Sequence, residues 1–330
     1  MKYIDLHCDT ISELADHPER GSLAQSDYNI DVEKLRKGDA FLQDFALFVD
    51  MEHCGGDVWQ RYQFLLKKYN EEMEANKESF RRILSPADID ACEKDGKMGS
   101  LLSIEEGGVL GGSLDKLEEV HKDGVRLITL TWNYPNEIAW PNGMEGTDKG
   151  LTKKGRAIVE AMGDLHMIVD TSHLNDEGTR ELLEGAERPP IASHSDARAL
   201  HSRTRNLPDD LIRLFGERGG LIGLNFSRNF IGSDPVTGLP GRDDIDFSKG
   251  PVLVSLIKDI VRHGLYIIDK GGEDVVCLGT DFDGIEPFLE VKDASYMPRL
   301  ADAFSAAGLT DEQVEKLFWK NADRYLHDML

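Results

Sequence analysis

The chain has 330 residues, 40% of them hydrophobic and 30% charged. That composition supplies a sizeable core and excludes global disorder, and the length suits one large α/β barrel. Lys and Arg number 38 against 61 Asp and Glu, a formal charge of −23, which repels phosphate backbones and anionic lipid and argues against nucleic acid and membrane surfaces as partners.

Short apolar runs alternate with helical patterns along the chain. The first run, 3–6 (YIDL), leads into His7-Cys8-Asp9. The second spans 43–49 (QDFALFV), and a long helical pattern follows over 58–82. A helix over 86–94, with Pro86 at its first position, precedes the third run at 100–104 (SLLSI). Helix 114–122 leads to the fourth run, 126–131 (RLITLT), and helix 152–162 to the fifth, 167–171 (MIVDT). Helix 175–184 leads to 189–193 (PPIAS), and helix 208–217 to 220–225 (GLIGLN). Helix 251–264 precedes the eighth run, 275–280 (VVCLGT), and 310–320 is the last helix. Several runs are apolar at nearly every residue, as strands buried on both faces must be. Eight alternating units predict a parallel (β/α)8 TIM-type barrel filling 1–330 as a single domain. No GxGxxG follows an early strand, which disfavours a doubly wound sheet. The connections at about 132–150 and 227–250 are long and rich in Gly, Pro, Asn and Asp. They read equally as functional loops and as surface insertions. Cys8, Cys54, Cys92 and Cys277 form no CxxC pair, which suits a reducing compartment. Without an apolar leader, anchor tail or membrane-length apolar stretch, a cytoplasmic location is expected.

In such a barrel the active site lies where the C-terminal ends of the strands meet. Five of the eight ends carry His, Asp or Glu: His7 and Asp9, Glu105 and Glu106, Asp170 and His173, His194 and Asp196, and Asp281 and Asp283. Singly, each suits a helix N-cap or a packed histidine. Five on one rim are harder to explain that way, because unpaired buried polarity is costly. His7 and Asp9, two apart, point to one side of a strand. Imidazole and carboxylate donors suit zinc, and two such centres suit metal-assisted hydrolysis.

Further signals run the length of the chain: Asp5 to Asp9, Ile104-Glu105 with Gly107-Gly108, 127–131, and Gly150-Leu151-Thr152 with Gly155. They continue through Met167, Asp170, Ser172 and His173, Ser193-His194-Ser195, Arg205-Asn206 with Asp209, Gly219-Gly220, and 279–284. In this order they resemble the membrane (renal-type) dipeptidases, peptidase family M19, a branch of the amidohydrolase-like barrels. The resemblance implies a zinc-dependent dipeptidase with two Zn2+ per chain. His7, Asp9 and Glu105 would hold one ion, and Glu105, His173 and His194 the other, with Glu105 bridging. Asp281 would transfer the proton. Arg205 would anchor the substrate, with Asn206 and Trp132 beside it. The implied substrate is a dipeptide with a free C-terminal carboxylate, and the implied assembly a homodimer. The alternatives are another amide or ester hydrolase on this barrel, or a non-catalytic metal-binding protein. Two departures stand out. Anchored members have one Glu before the glycine pair; here Glu105 ends the apolar run and is preferred, with Glu106 as the alternative. Anchored members also place a carbonyl-polarising histidine where this chain has Trp132, which leaves the substrate open.

Overall fold

The computed structural model describes residues 1–143, 149–240, 242 and 244–330. Residues 144–148, 241 and 243, which belong to the two long connections, lie outside the described residues. The eight apolar runs form strands β1 (Tyr3–Asp5), β2 (Ala40–Phe48), β3 (Met98–Glu105), β4 (Leu127–Thr129), β5 (Ile168–Asp170), β6 (Ile191–Ala192), β7 (Leu221–Leu224) and β8 (Val276–Leu278). Every neighbouring pair is parallel, and β1 pairs with both β2 and β8, so the sheet closes into the expected barrel.

Inside the barrel the period of two stacks the side chains in layers. Ile4, Leu42, Leu101, Leu127, Ile168, Ile191, Leu221 and Cys277 form one buried cluster, and Tyr325, Leu326 and Met329 of the last helix pack beneath it. Full burial of a large apolar side chain is worth roughly 1.5–3 kcal/mol, so this floor fixes the strands firmly. Two residues further along the strands the interior turns polar, with Asp44, Ser103, Thr129, Asp170 and Ser193 all buried. Gly223 and Gly279 leave room for the Ser193 carbonyl, which a Cβ at either position would overlap.

Three segments depart from expectation. The helix predicted over 58–82 ends at Ala75, and Phe80–Arg82 forms a ninth strand opposite Met98–Ser100. Phe80 is buried there, edge-on to Phe45, so tertiary pairing overrides the helical pattern. At 251–264, Val252–Leu253 instead pairs antiparallel with Pro235–Val236, and the helix runs over Ile257–Gly271. At 310–320, a short helix Asp311–Glu315 passes through a π turn, Lys316–Lys320, into Asn321–Met329. The helices Thr10–Asp16, Val32–Gly38 and Met297–Ala306 were not anticipated.

Candidate metal centre and active site

The polar strand ends converge at the C-terminal mouth. His7 and Asp9 follow β1, Glu105 ends β3, His173 follows β5, His194 follows β6 and Asp281 follows β8. His173 and Asp281 hold φ of 67° and 60°, a left-handed conformation uncommon for residues other than glycine and frequent where geometry serves a site. Glu105 stands at the centre. Its Oε2 lies 3.4 Å from His7 Nε2, and its Oε1 lies 3.1 Å from His173 Nε2 and 3.4 Å from His194 Nε2. Asp9 Oδ2 and Asp281 Oδ1 lie 3.5 and 3.8 Å from His7 Nε2. The His7 and His194 rings stack with centroids 3.8 Å apart.

These groups are buried and respond to one another. Burial disfavours charge on His7, yet the facing Glu105 and Asp9 carboxylates outweigh it and raise its pKa. Burial alone would raise Glu105, but the three imidazoles around it hold its carboxyl well below the usual range. Burial, with Arg205 adding, pushes His173 down to about 4; burial, His7 and Arg205 likewise lower His194. Asp281 is pushed up to about 7 by burial, with His7 opposing and Asp9 and Glu105 adding. His7 Nδ1, His7 Nε2 and Asp9 Oδ1 are buried without hydrogen-bond partners among the described residues. Orphaned imidazole and carboxylate atoms facing one another are a donor set that a borderline cation satisfies, and N and O donors of this kind fit zinc.

Neighbouring side chains hold the cluster. Asn225 Nδ2 donates to Asp281 Oδ2 at 2.7 Å, and Ser227 N donates to Asn225 Oδ1. Asn133 Oδ1 lies 3.2 Å from His173 Nδ1, and Ser193 Oγ lies 2.7 Å from His194 Nδ1. Asn225 and Asn133 escape a reading of strand ends that counts only His, Asp and Glu. For Asn225 the available signal was its place as the last, polar residue of the run 220–225.

The cluster opens into a cavity of about 770 Å³ lined by Asp9, Glu105, Trp132, His173, Arg205 and Asp281, among others. Arg205, 8% exposed, donates from Nη1 to Ser195 Oγ and from Nη2 to the His194 carbonyl. Asp209 pairs instead with Arg213 and accepts from Tyr266. Trp132 meets Phe48 edge-on at 4.8 Å and Tyr134 at 5.8 Å. Asn206 is not brought to the cavity: its Nδ2 donates to the carbonyls of His201 and Phe230, bracing the loop. Glu106 also faces away from the imidazoles, accepting from the N–H groups of Gly108 and Trp132 and from Asn136. Of the two neighbouring glutamates, Glu105 is therefore the candidate ligand.

The sequence matches the family model of the membrane dipeptidases, peptidase family M19, over residues 1–329. It is 34% identical over 256 residues to an uncharacterised protein from the pqqA 5′ region of Klebsiella pneumoniae, covering 76% of this chain and 89% of that protein. It is 29% identical over 320 residues to an uncharacterised dipeptidase of Schizosaccharomyces pombe, covering 89% and 70%. The fold is similar to that of a metallo peptidase from Rhodobacter sphaeroides liganded with a phosphinate mimic of L-Ala-D-Ala, with TM-score 0.87, 22% identity and 100% and 99% of the two chains covered. It is also similar to the metallo peptidase dipeptidase AC, with TM-score 0.86, 23% identity and the same coverage.

Proposed function

The chain belongs to the membrane dipeptidases, peptidase family M19, and on that footing we propose that it hydrolyses dipeptides bearing a free C-terminal carboxylate with the aid of two zinc ions. The observation that carries the reading is the division of labour on Glu105, with Oε2 toward His7 and Oε1 toward His173 and His194. His7, Asp9 and Glu105 would hold one ion, and Glu105, His173 and His194 the other. When bound, the ions supply Lewis-acid charge at the scissile carbonyl and lower the pKa of water. Asp281, oriented by Asn225, takes the proton of the attacking water and returns it to the leaving amine as the C–N bond breaks. Arg205 holds the substrate carboxylate at the cavity wall. Trp132, packed on Phe48 and Tyr134, contributes an apolar wall. All four cysteines are free thiols, which suits the reducing cytoplasm expected from the sequence, and the reading includes a homodimer.

The test is turnover of a panel of L,L and L,D dipeptides by zinc-loaded and chelator-treated protein, with metal analysis alongside. Zinc-dependent hydrolysis and a metal content near two ions per chain are expected. Failure to cleave any dipeptide while zinc is bound would overturn the reading. A second reading, another amide or ester substrate on the same barrel, is favoured by Trp132, and adding simple amides and esters to the panel separates the two.

A further inference from the structure

Behind His194 lies a hydrogen-bonded chain that the mechanism above does not use. Asp170, the last residue of β5, is fully buried in the barrel interior. Its Oδ1 accepts from Ser172 N at 3.0 Å and Ser193 N at 2.8 Å. Its Oδ2 accepts from Thr129 Oγ1 at 2.7 Å and Ser193 Oγ at 2.6 Å. Ser193 has a single hydroxyl proton, and a carboxylate can only accept. That proton is therefore spent on Asp170, and the Ser193 oxygen faces His194 Nδ1, 2.7 Å away, as an acceptor. His194 must then carry its proton on Nδ1. Its Nε2 is left with a lone pair directed toward Glu105 and His173.

We infer that Asp170 is a positioning residue that sets the tautomer of His194 through Ser193, keeping Nε2 free as a metal donor. The effect runs through one defined proton and so has a defined failure. In Asp170→Asn, the Oδ1 position still receives two backbone N–H groups and must stay oxygen. The new NH2 then occupies the Oδ2 position and donates toward Ser193. Ser193 turns its own proton toward His194 Nδ1 and drives the imidazole to the Nε2–H form, which cannot ligate. In the Ser-His-Asp triad an amide in direct contact with the imidazole imposes the wrong tautomer; here the same reversal passes through the Ser193 hydroxyl. Thr129 touches the same carboxylate but not the relay, so it serves as the control.

The proposal rests on the reading of His194 as a ligand only for its metal arm; the tautomer arm needs neither metal nor substrate. The first measurement is the His194 tautomer in metal-free protein by long-range 1H–15N NMR of histidine-labelled chain, with His194→Gln for assignment. We expect Nδ1–H in wild type and Nε2–H in Asp170→Asn. The second is zinc affinity by competition with a chelator. A loss of about 10–100-fold, the usual range for partners of a ligating histidine, is expected for Asp170→Asn and Ser193→Ala, with Thr129→Val within a few-fold of wild type. Wild-type His194 protonated on Nε2 overturns the inference, as does Asp170→Asn that keeps the Nδ1–H form. Equal losses in Thr129→Val and Ser193→Ala also overturn it, since they mark a general structural role. If Asp170→Asn does not fold, the wild-type tautomer and Ser193→Ala still decide. Absence of dipeptidase activity with the Nδ1–H tautomer present would count against the proposed function and leave this inference standing.

Discussion

Arg205→Lys isolates substrate anchoring from the rest of the chemistry. A guanidinium offers five N–H donors. Two bonds are accounted for, to Ser195 Oγ and the His194 carbonyl, and Nε has no partner among the described residues. Donors thus remain for a carboxylate in the cavity that Arg205 lines. On a chain of net charge −23, an anionic substrate group needs such a local cation. A hydrogen bond to a charged group is worth roughly 1.5–3 kcal/mol, about 10–150-fold in kcat/KM at room temperature. Wild type should therefore prefer a dipeptide over its C-terminal amide by about that factor. Lysine keeps the charge but not the planar fork, so Arg205→Lys should lose most of the preference. The assay is kcat/KM for one dipeptide and its amide, in wild type and variant, at fixed zinc. Equal hydrolysis of acid and amide by wild type would refute the role of Arg205, and with it the requirement for a free carboxylate.

Asp281→Asn keeps the size of the side chain but cannot accept a proton, and should lower kcat by about 10²–10⁴-fold with metal content unchanged; turnover within a few-fold of wild type would remove Asp281 from that role. Chelation should lower the melting temperature, because a ligand at 1,000 times its Kd adds about 4 kcal/mol to apparent stability; identical melts with and without chelator would contradict a folded-state metal site. His263 accepts from Ala197 N and faces the Ile231 carbonyl through Nε2, and burial, with Arg262 adding, pushes its pKa down to about 4. A folded pKa below the ordinary 6.5 means its contribution is complete above pH 6.5 and is lost as the pH falls toward 4, by up to about 3 kcal/mol. Denaturant titrations across that range should show a shallower fall for His263→Gln than for wild type, and parallel curves would refute the assignment.

The proposed ligand set stands out in the sequence because its chemistry is rare. His7, Asp9, Glu105, His173 and His194 all fall at the C-terminal ends of buried strands or just beyond them, where imidazole and carboxylate side chains converge. The strands were legible because burial on both faces leaves continuous apolar runs. What stayed hidden depends on partners far along the chain. Asn225 is an ordinary amide until Asp281, 56 residues on, accepts from it. Ser103 reads as a weak strand residue until Asp44, 59 residues away, accepts from its hydroxyl. Phe80–Arg82 carries no strand pattern of its own and becomes a strand because β3 presents a free edge there. Glu105 and Glu106 differ in what they face: Glu105 ends the strand and turns to the imidazoles, whereas Glu106, beyond the strand at φ 104°, accepts from Gly108, Trp132 and Asn136.

The junction of β1 with β8 has a kinetic consequence. The Asp5 carboxylate accepts from the backbone and hydroxyl of Thr280, 275 residues away, and the bonds from Asp9 N to the Phe282 carbonyl and from Asp281 N to the His7 carbonyl continue the join upward. Closing a loop of that length costs about 5 kcal/mol in chain entropy before any contact compensates, so this join belongs among the late events of folding. His7 and Asp9 stand on one side of it and Asp281 on the other. Until the first and last strands meet, the proposed proton carrier and two of the proposed ligands are on separate pieces of structure. Recovery of catalysis during refolding should therefore trail the return of helical signal, and its rate reports ring closure more directly than any spectroscopic probe of the helices.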